Sequence, residues 1–506
     1  MAETQHQQEG GAGASPDLHV VVFPWLAFGH MIPFLELSKR LARRGHAVTF
    51  VSTPRNAARL GAVPPELSAR LRVVALGLPD VEGLPDGAES TADVPPEKVG
   101  LLKKAFDGLA APFADLVTAL ACADAAGGSG DAVSGVGFSR KPDFIVLDFA
   151  QNWIWPIAEE HEIACAILLI LPASILAFLG PRHENETHPR TTTEDYMVQP
   201  PWIPFPTTMA HRRHEAEAIA AVFRQNASGV SDMDRFYEMQ RPCCRLIVLR
   251  SCPEAEPRLF PLLTDLLAKP VVPSGLLLPD EVADDDDDAA PGGGDDGDDQ
   301  SFADVMRWLD EQPPGSVIYV ALGSEAPVTA DHVRQLALGL ERSGARFLWA
   351  VRRPAGHPSG GALPLLPDGF EARVAGRGVA RAGWVPQVRV LAHAAVGAFL
   401  THCGWGSTVE SLFRFGLPLV MLPFVADQGL IARAMAAHGV GVEVPRDEHD
   451  GSFRGDDVAA TVRWVMAEEE GRELARNARE LQKVVGDRAR QEQYVDDLVE
   501  YLQRYK

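Results

Sequence analysis

Residues 399–413, FLTHCGWGSTVESLF, run from an apolar stretch into histidine, cysteine, glycine, tryptophan and glycine, and then open a helical pattern. A turn that only reversed the chain would need no particular chemistry. This one gathers an imidazole (His402), two flexible backbone positions (Gly404 and Gly406) and two hydroxyls (Ser407 and Thr408) where a helix begins. Backbone N–H groups and the positive end of the helix dipole bind phosphate at such a place, and glycines let the phosphate approach the backbone. Ser407-x-x-Glu410 is also a capping-box pattern. Capping would account for those two residues without any ligand, and leaves His402, Gly404, Trp405 and Gly406 without a role. A second candidate stands near the start of the chain. In PWLAFGHMIPF, His30 follows a glycine after an apolar run and opens a helix. A histidine there either caps the helix or, titrating near neutrality, moves protons.

Short β-rich runs alternate with helical patterns and decide where these residues fall. HVVVFP (19–24) precedes a helix from near His30 to Gly45, and AVTFVST (47–53), FIVLD (144–148), CAILLI (165–170) and LIVLRSC (246–252) follow. A second series comprises SVIYVALGS (316–324), RFLWAV (346–351), VGAFLTH (396–402), PLVMLPF (418–424) and VGVEV (440–444). The runs are continuous rather than alternating, as in parallel strands covered on both faces. Two such series predict an α/β protein of two facing, doubly wound Rossmann-like domains. Ligands then sit at the carboxyl ends of the strands, in the cleft between the domains. The first domain is expected over 18–265, an acidic linker over 266–300 and the second domain over 301–484. A helix over 485–506 is expected to cross back to the first domain.

A chain of 506 residues exceeds one ordinary core. Half of its net charge of −22 is local: DEVADDDDDAAPGGGDDGDD (280–299) holds eleven acidic residues and no basic one. That segment cannot bury enough apolar surface to order itself. No strand leads into the aspartate run 284–288, so it reads as solvated chain and not as a metal-binding D-x-D site. Acidity argues against nucleic acid or an anionic membrane as partner. Six cysteines without C-x-x-C or framework spacing read as reduced thiols in a cytoplasmic protein. The start, MAETQHQQEGGAGASPD, lacks a basic segment followed by an apolar one, so no secretory signal is expected. The most apolar run, 165–181, is short for a membrane span and carries Pro172. A buried strand turning into a buried helix is expected there, and no integral membrane segment.

From 384 to 428 the chain reads WVPQVRVLAHAAVGAFLTHCGWGSTVESLFRFGLPLVMLPFVADQ, which resembles the signature box of the plant family 1 UDP-glycosyltransferases. FPWLAFGH, VSTPRN, VEGLPDGAEST and VALGSE resemble counterparts in the subgroup that adds a sugar to a sugar on a diterpene, flavonoid or similar glycoside. The resemblance implies the two-domain GT-B arrangement and an inverting transfer. It also implies a UDP-sugar donor, UDP-glucose where the box ends in glutamine, and no metal or further cofactor. The acceptor would be a small-molecule glycoside, and the protein a monomer. Carried over residue by residue, Trp384 would stack on the uracil, with the Val385 backbone and Gln387 completing base and ribose contacts. Glu410 would accept from the ribose hydroxyls. His402, Gly404, Ser407 and the backbone around Trp405 and Gly406 would hold the diphosphate, with Ser324 closing from the neighbouring strand end. Asp427 and Gln428 would bind hydroxyls of the donor sugar. His30 becomes the general base, and Asp148 its partner, fixing the imidazole tautomer and stabilising its charged form. The other role open to Asp148 is a loop cap. Trp25, Phe28, Phe149, Asn152 and Trp153 flank that pair and would meet the acceptor, though several fit equally as core.

Two departures stand out. The residue after the box tryptophan is usually asparagine and here is Gly406. The lost hydrogen bond costs roughly 0.5–1.5 kcal/mol, with Thr408 or a water as the available replacement. SLFRFGLP is also one residue longer than the common spacing from Glu410 to the Gly-x-Pro. Readings from other classes compete. A non-catalytic UDP-sugar-binding protein is one, and the intact His30 and Asp148 count against it. An acidic cation-binding protein is another, whereas the transferase reading predicts that deleting 284–299 leaves turnover nearly intact. A Rossmann oxidoreductase is disfavoured because neither first-strand turn carries G-x-G-x-x-G.

Overall fold

The computed structural model describes residues 17–125, 138, 140–279, 297–323, 326–351, 366–382, 385–425 and 427–506. Within them the continuous apolar runs form two parallel sheets. The first comprises β1 (His19–Phe23), β2 (Ala47–Ser52), β3 (Leu71–Ala75), β4 (Phe144–Leu147), β5 (Ala164–Leu169), β6 (Cys244–Leu249) and β7 (Val271–Pro273), in the order β3-β2-β1-β4-β5-β6-β7. The second comprises β8 (Val317–Ala321), β9 (Arg346–Val351), β10 (Gly378–Ala382), β11 (Val396–Thr401), β12 (Leu419–Met421) and β13 (Gly441–Glu443), in the order β10-β9-β8-β11-β12-β13. Both are doubly wound, and the protein is α/β as the runs predict.

Side chains alternate across each strand, yet both faces are covered. Val21 and Phe23 of β1 and Ile145 and Leu147 of β4 enter one core. Val20, Val22, Phe144 and Val146 enter another on the opposite face. Hence the absence of polar alternation. The first of these cores continues through Val317, Tyr319 and Phe399 of the second sheet, so apolar packing is continuous between the domains.

Two boundaries differ from expectation. β7 lies inside the expected linker, but Ile247↔Val271 and Val248↔Val272 pair it with β6 as an edge of the first sheet. Three residues that follow Pro270 and end in Pro273 carry too little pattern to show a strand. The helix Gly297–Asp310 starts within the acidic run, ahead of the expected opening at 301. Residues 280–296 lie outside the described ones. At the other end, the helix Arg488–Tyr505 covers the first domain, with Val495, Leu498 and Leu502 joining the core of Val20, Val22 and Leu41.

The apolar run 165–181 is β5 followed by the helix Ala173–Leu179, every residue of which is buried. Another stretch, Pro96–Cys122, is long and apolar enough by composition to cross a membrane. Its Leu102, Phe106, Leu109, Phe113 and Val117 pack into the first domain's core.

In each sheet the strand order reverses at one place, between β1 and β4 and between β8 and β11. Crevices that receive ligands open at the carboxyl ends of such neighbours. His30 and Asp148 follow β1 and β4, and Gly323 and His402 follow β8 and β11. The fold thus delivers both candidate centres to switch points.

Candidate active site

The register Phe23↔Leu147 sets the ends of β1 and β4 side by side. Asp148, one residue further on, is 1% exposed. Its Oδ2 accepts from His30 Nδ1 at 2.7 Å and from the Trp25 amide at 3.0 Å, and its Oδ1 accepts from the Phe149 amide at 2.7 Å. Gln151 braces the arrangement, accepting from the Asp148 amide at 3.0 Å and donating to Phe23 O at 2.6 Å. Two backbone amides and the His30 ring thus converge on the Asp148 oxygens. The imidazole donates through Nδ1, which leaves Nε2 as its basic nitrogen. Asp148 therefore ties down the loop and orients His30 at once. His30 does not cap its helix: Phe28–Arg43 has Ala27 as N-cap.

His30 and Asp148 line a cavity of about 670 Å³, a size that takes a drug-sized molecule. Trp25 and Phe149 share its first-domain wall, while Pro327, Val425 and Asp427 face them from the second domain. The structure does not bring Phe28, Asn152 or Trp153 to that wall. Phe28 lies under the Arg59 guanidinium. Asn152 Oδ1 accepts from the buried Arg235 at 2.9 Å. Trp153 sits edge-on to Phe23, Phe106 and Phe113 in the core. Asn152 and Trp153 both precede the helix Ile154–Glu160, for which Trp153 is the N-cap.

Across the cleft, the His402 ring is packed between two glycines. A Cβ at Gly323 would lie 2.5 Å from its Cε1, and one at Gly404 2.5 Å from its Nε2. Cys403 takes a left-handed φ of 67° and turns the chain into a helix that starts at Trp405, with Gly404 as N-cap and no side-chain cap. The capping box therefore does not form, because the helix begins ahead of Ser407. Instead Gln387 Nε2 donates to Glu410 Oε2 at 2.7 Å and to Ser407 Oγ at 3.4 Å. Burial raises the Glu410 carboxyl above its ordinary value against the opposing pull of Gln387, Arg250 and Arg414. An under-neutralised carboxylate of this kind is a strong acceptor for hydroxyl donors.

The extra residue after Glu410 is absorbed as a π-helical turn, Val409–Arg414, which closes at Gly416 with φ 67°. A π turn holds one residue more than an α turn, so the first turn keeps its geometry. Thr408 does not replace the missing asparagine: it is fully buried and its Oγ1 donates to Gly404 O at 3.2 Å. Trp405 is buried too, and its Nε1 donates to Arg250 O at 2.6 Å, docking the box onto the first domain. Gln428 Oε1 accepts from the amides of Phe424 and Val425 at 2.9 and 3.1 Å, which turns its NH₂ into the group available to a ligand. Val385 packs partly buried against the interdomain core, two residues ahead of the helix Gln387–Ala392. Ser324, Trp384 and the aspartate run 284–288 lie outside the described residues. Among the described residues, no group of three His, Cys, Asp or Glu side chains is placed to hold a metal ion.

The glycine packing gives a direct expectation. Gly404→Ala displaces the His402 ring and, where that ring holds a diphosphate as the sequence resemblance implies, weakens UDP binding by roughly tenfold, the worth of one hydrogen bond, as read by calorimetric titration.

Reasoning from sequence missed Arg250 and the Lys103–Asp232 pair. Arg250 showed only as a basic residue ending an apolar run. Lys103 and Asp232 are 129 residues apart and meet only in the fold, at 2.6 Å.

Comparison with known proteins bears on the same residues. A family profile described as UDP-glucoronosyl and UDP-glucosyl transferase matches residues 305–492. UDP-glycosyltransferase 91C1 of Arabidopsis thaliana is 40% identical over 486 residues, covering 96% of both chains. Soyasaponin III rhamnosyltransferase of Glycine max is 35% identical over 505 residues, covering 98% of both. The solved structure of Phytolacca americana UGT2 complexed with UDP-2fluoro-glucose and pterostilbene shares the fold, with a TM-score of 0.70 at 23% identity over 96% of this chain and 99% of that one.

Proposed function

Since this chain belongs to the plant family 1 UDP-glycosyltransferases and takes its sugar from a UDP-sugar, we propose that it moves glucose from UDP-glucose to a hydroxyl of a sugar already carried by a small-molecule glycoside, with inversion at the anomeric carbon. The observation that carries this is the His30–Asp148 pair in a cavity whose opposite wall bears Asp427. His30 Nε2 takes the proton of the acceptor hydroxyl as its oxygen attacks the anomeric carbon. The bond from that carbon to the diphosphate oxygen breaks, and UDP leaves with the electron pair toward the helix that starts at Trp405. Asp148 stabilises the imidazolium so formed, offsetting the nearby helix N-terminus, which disfavours it.

The acceptor class is supported by the cavity's polar end. The Phe149 ring lies 5.7 Å from the His30 ring and 5.8 Å from Lys103 Nζ, and Lys103 donates to both Asp232 oxygens at 2.6 and 2.7 Å. A sugar resting on Phe149 presents one hydroxyl to His30 and others to the ion pair. Ile175, Leu179, Ile219 and Met233 line the remainder and suit an apolar aglycone. Glucose as the donor sugar is supported by Gln428, and a cytoplasmic setting by six free cysteines. The name of the Glycine max relative, a rhamnosyltransferase, keeps a second donor in view.

The test is UDP release from UDP-glucose with a panel of glycosides and their aglycones. Faster release with glycosides is the expected result, and Lys103→Ala should raise KM for glycosides more than for aglycones. Release with aglycones alone would move the reaction to an aglycone hydroxyl. Binding of UDP-glucose with silence for every acceptor and every UDP-sugar tried would make this a binding protein.

A further inference from the structure

Gly406 removes a side chain at the first turn of the box helix, and Thr408 does not fill its place. What stands there is Arg250, the residue after β6 in the first domain. A Cβ built on Gly406 would meet Arg250 Nη1 at 3.7 Å and no other atom within 4 Å outside its chain neighbours and its own helix backbone. Arg250 is 3% exposed. Its amide donates to Leu169 O at 2.9 Å, its carbonyl accepts from Trp405 Nε1 at 2.6 Å, and its Nε donates to Leu276 O at 2.8 Å. Among the described residues neither Nη group has a hydrogen-bond partner. Burial pushes the guanidinium down to about 10, with Glu410 pulling the other way as its strongest charged neighbour, so it stays protonated at neutral pH. With Nη1 beside Gly406 and Glu410 as its strongest charged neighbour, this deeply set guanidinium is placed to meet an anionic ligand at the first turn of the box helix.

We propose that Arg250 is a donor-site residue, its Nη groups reaching the diphosphate of the nucleotide sugar between Gly406 and Glu410 in place of the side chain missing at 406. This rests on the UDP-sugar reading of the site. It makes donor binding a two-domain event: the helix beginning at Trp405 supplies N–H groups from one side, and Arg250 supplies charge from the other. The Trp405–Arg250 hydrogen bond fixes the two at a set separation.

Calorimetric titration with UDP and with uridine tests it, on the unmodified chain, Arg250→Gln, Arg250→Lys and the double variant Arg250→Gln/Gly406→Asn, with thermal unfolding followed alongside. Arg250→Gln should lose UDP affinity roughly ten- to hundredfold, the worth of hydrogen bonds to a charged group, while uridine binding stays unchanged. The double variant should regain part of that loss. Where Arg250→Gln does not fold, Arg250→Lys carries the test. It keeps the charge without the fork and should lose UDP affinity by less, again sparing uridine. Unchanged UDP binding in Arg250→Gln would overturn the proposal, as would equal losses of UDP and uridine, which mark a residue that only supports the fold. If the unmodified chain binds uridine and UDP equally, the diphosphate reading fails first and Arg250 with it.

Discussion

His30→Ala lowers acceptor-dependent UDP release by roughly 10²–10⁴-fold, the usual contribution of a positioned base, while UDP still binds. The size follows from the geometry. Nδ1 is committed to Asp148 at 2.7 Å, so the ring has one tautomer and one basic nitrogen. Among the described residues no other histidine or carboxylate beside the Phe149 ring is so placed, since Asp232 is occupied by Lys103 and Asp427 lies on the second-domain wall. Stopped or steady-state assays of UDP release, run beside calorimetric titration with UDP, separate the two effects. Asp148→Asn should follow in the same direction. The amide still accepts at one position but cannot stabilise imidazolium, and its NH₂ opposes the amides of Trp25 or Phe149. A variant that lost UDP binding as well would place His30 in the donor site and not at the base position.

Glu215→Gln produces the largest expected loss of stability, about 3–5 kcal/mol, as for one partner removed from a buried ion pair. Its side chain is 3% exposed, and Arg433 donates to its two oxygens at 2.6 and 3.3 Å across the domain boundary. The Arg212 amide donates at 2.9 Å, and His211 Nδ1 lies 3.5 Å away. Arg433 sits on the helix Gln428–Ala437, and a Cβ at Gly429 would collide with Glu215 Oε1. The pair therefore clamps the helix that begins with Gln428. Arg212 Nη2 also meets Glu443 at 3.1 Å, so the clamp belongs to a wider charged seam.

Acid should weaken this seam first. Burial alone would raise the Glu215 carboxyl, but His211 and Arg433 outweigh it and hold it well below its ordinary 4.5. Its contribution is fully present above about 4.5 and is lost as the pH falls toward the lower folded value. His211 is held below its ordinary 6.5 by burial, opposed by Glu215, so protonation there also favours the unfolded chain as the pH falls below 6.5. Unfolding midpoints measured from pH 4.5 down to pH 2 should drop more steeply in the unmodified chain than in Glu215→Gln, which has already lost the carboxylate term. Parallel curves would contradict the assignment.

The strands were legible because both faces of each sheet are covered, so that Val20 to Phe23 and Phe144 to Leu147 read as unbroken apolar runs. β7 was not, since two valines between Pro270 and Pro273 carry no period. The site divides the same way. Asp148 and His402 stood out because each ends an apolar run, His30 because it opens a helix after one, and Glu410 by its capping-box spacing from Ser407. The helix start at Trp405 was hidden, because it depends on the left-handed Cys403, a conformation that non-glycine side chains rarely signal. The π turn was equally silent: an extra residue shows as a count, and only the fold decides whether it distorts the first turn or the last. Phe28, Asn152 and Trp153 were placed by adjacency along the chain, and the fold gives each another partner: Arg59, Arg235 and the Phe23 ring cluster. Arg250, Lys103 and Asp232 act through partners more than a hundred positions away, and no local pattern marks them.

The most direct measurement is the structure of the product formed from UDP-glucose and a responsive glycoside, by proton NMR of the new anomeric centre and its linkage. The donor carries an α-linked glucose, and a single displacement assisted by His30 predicts a β-linked glucose on a hydroxyl of the acceptor's sugar. An α linkage would contradict the displacement, and a glucose on the aglycone would contradict the role given to Phe149 and the Lys103–Asp232 pair.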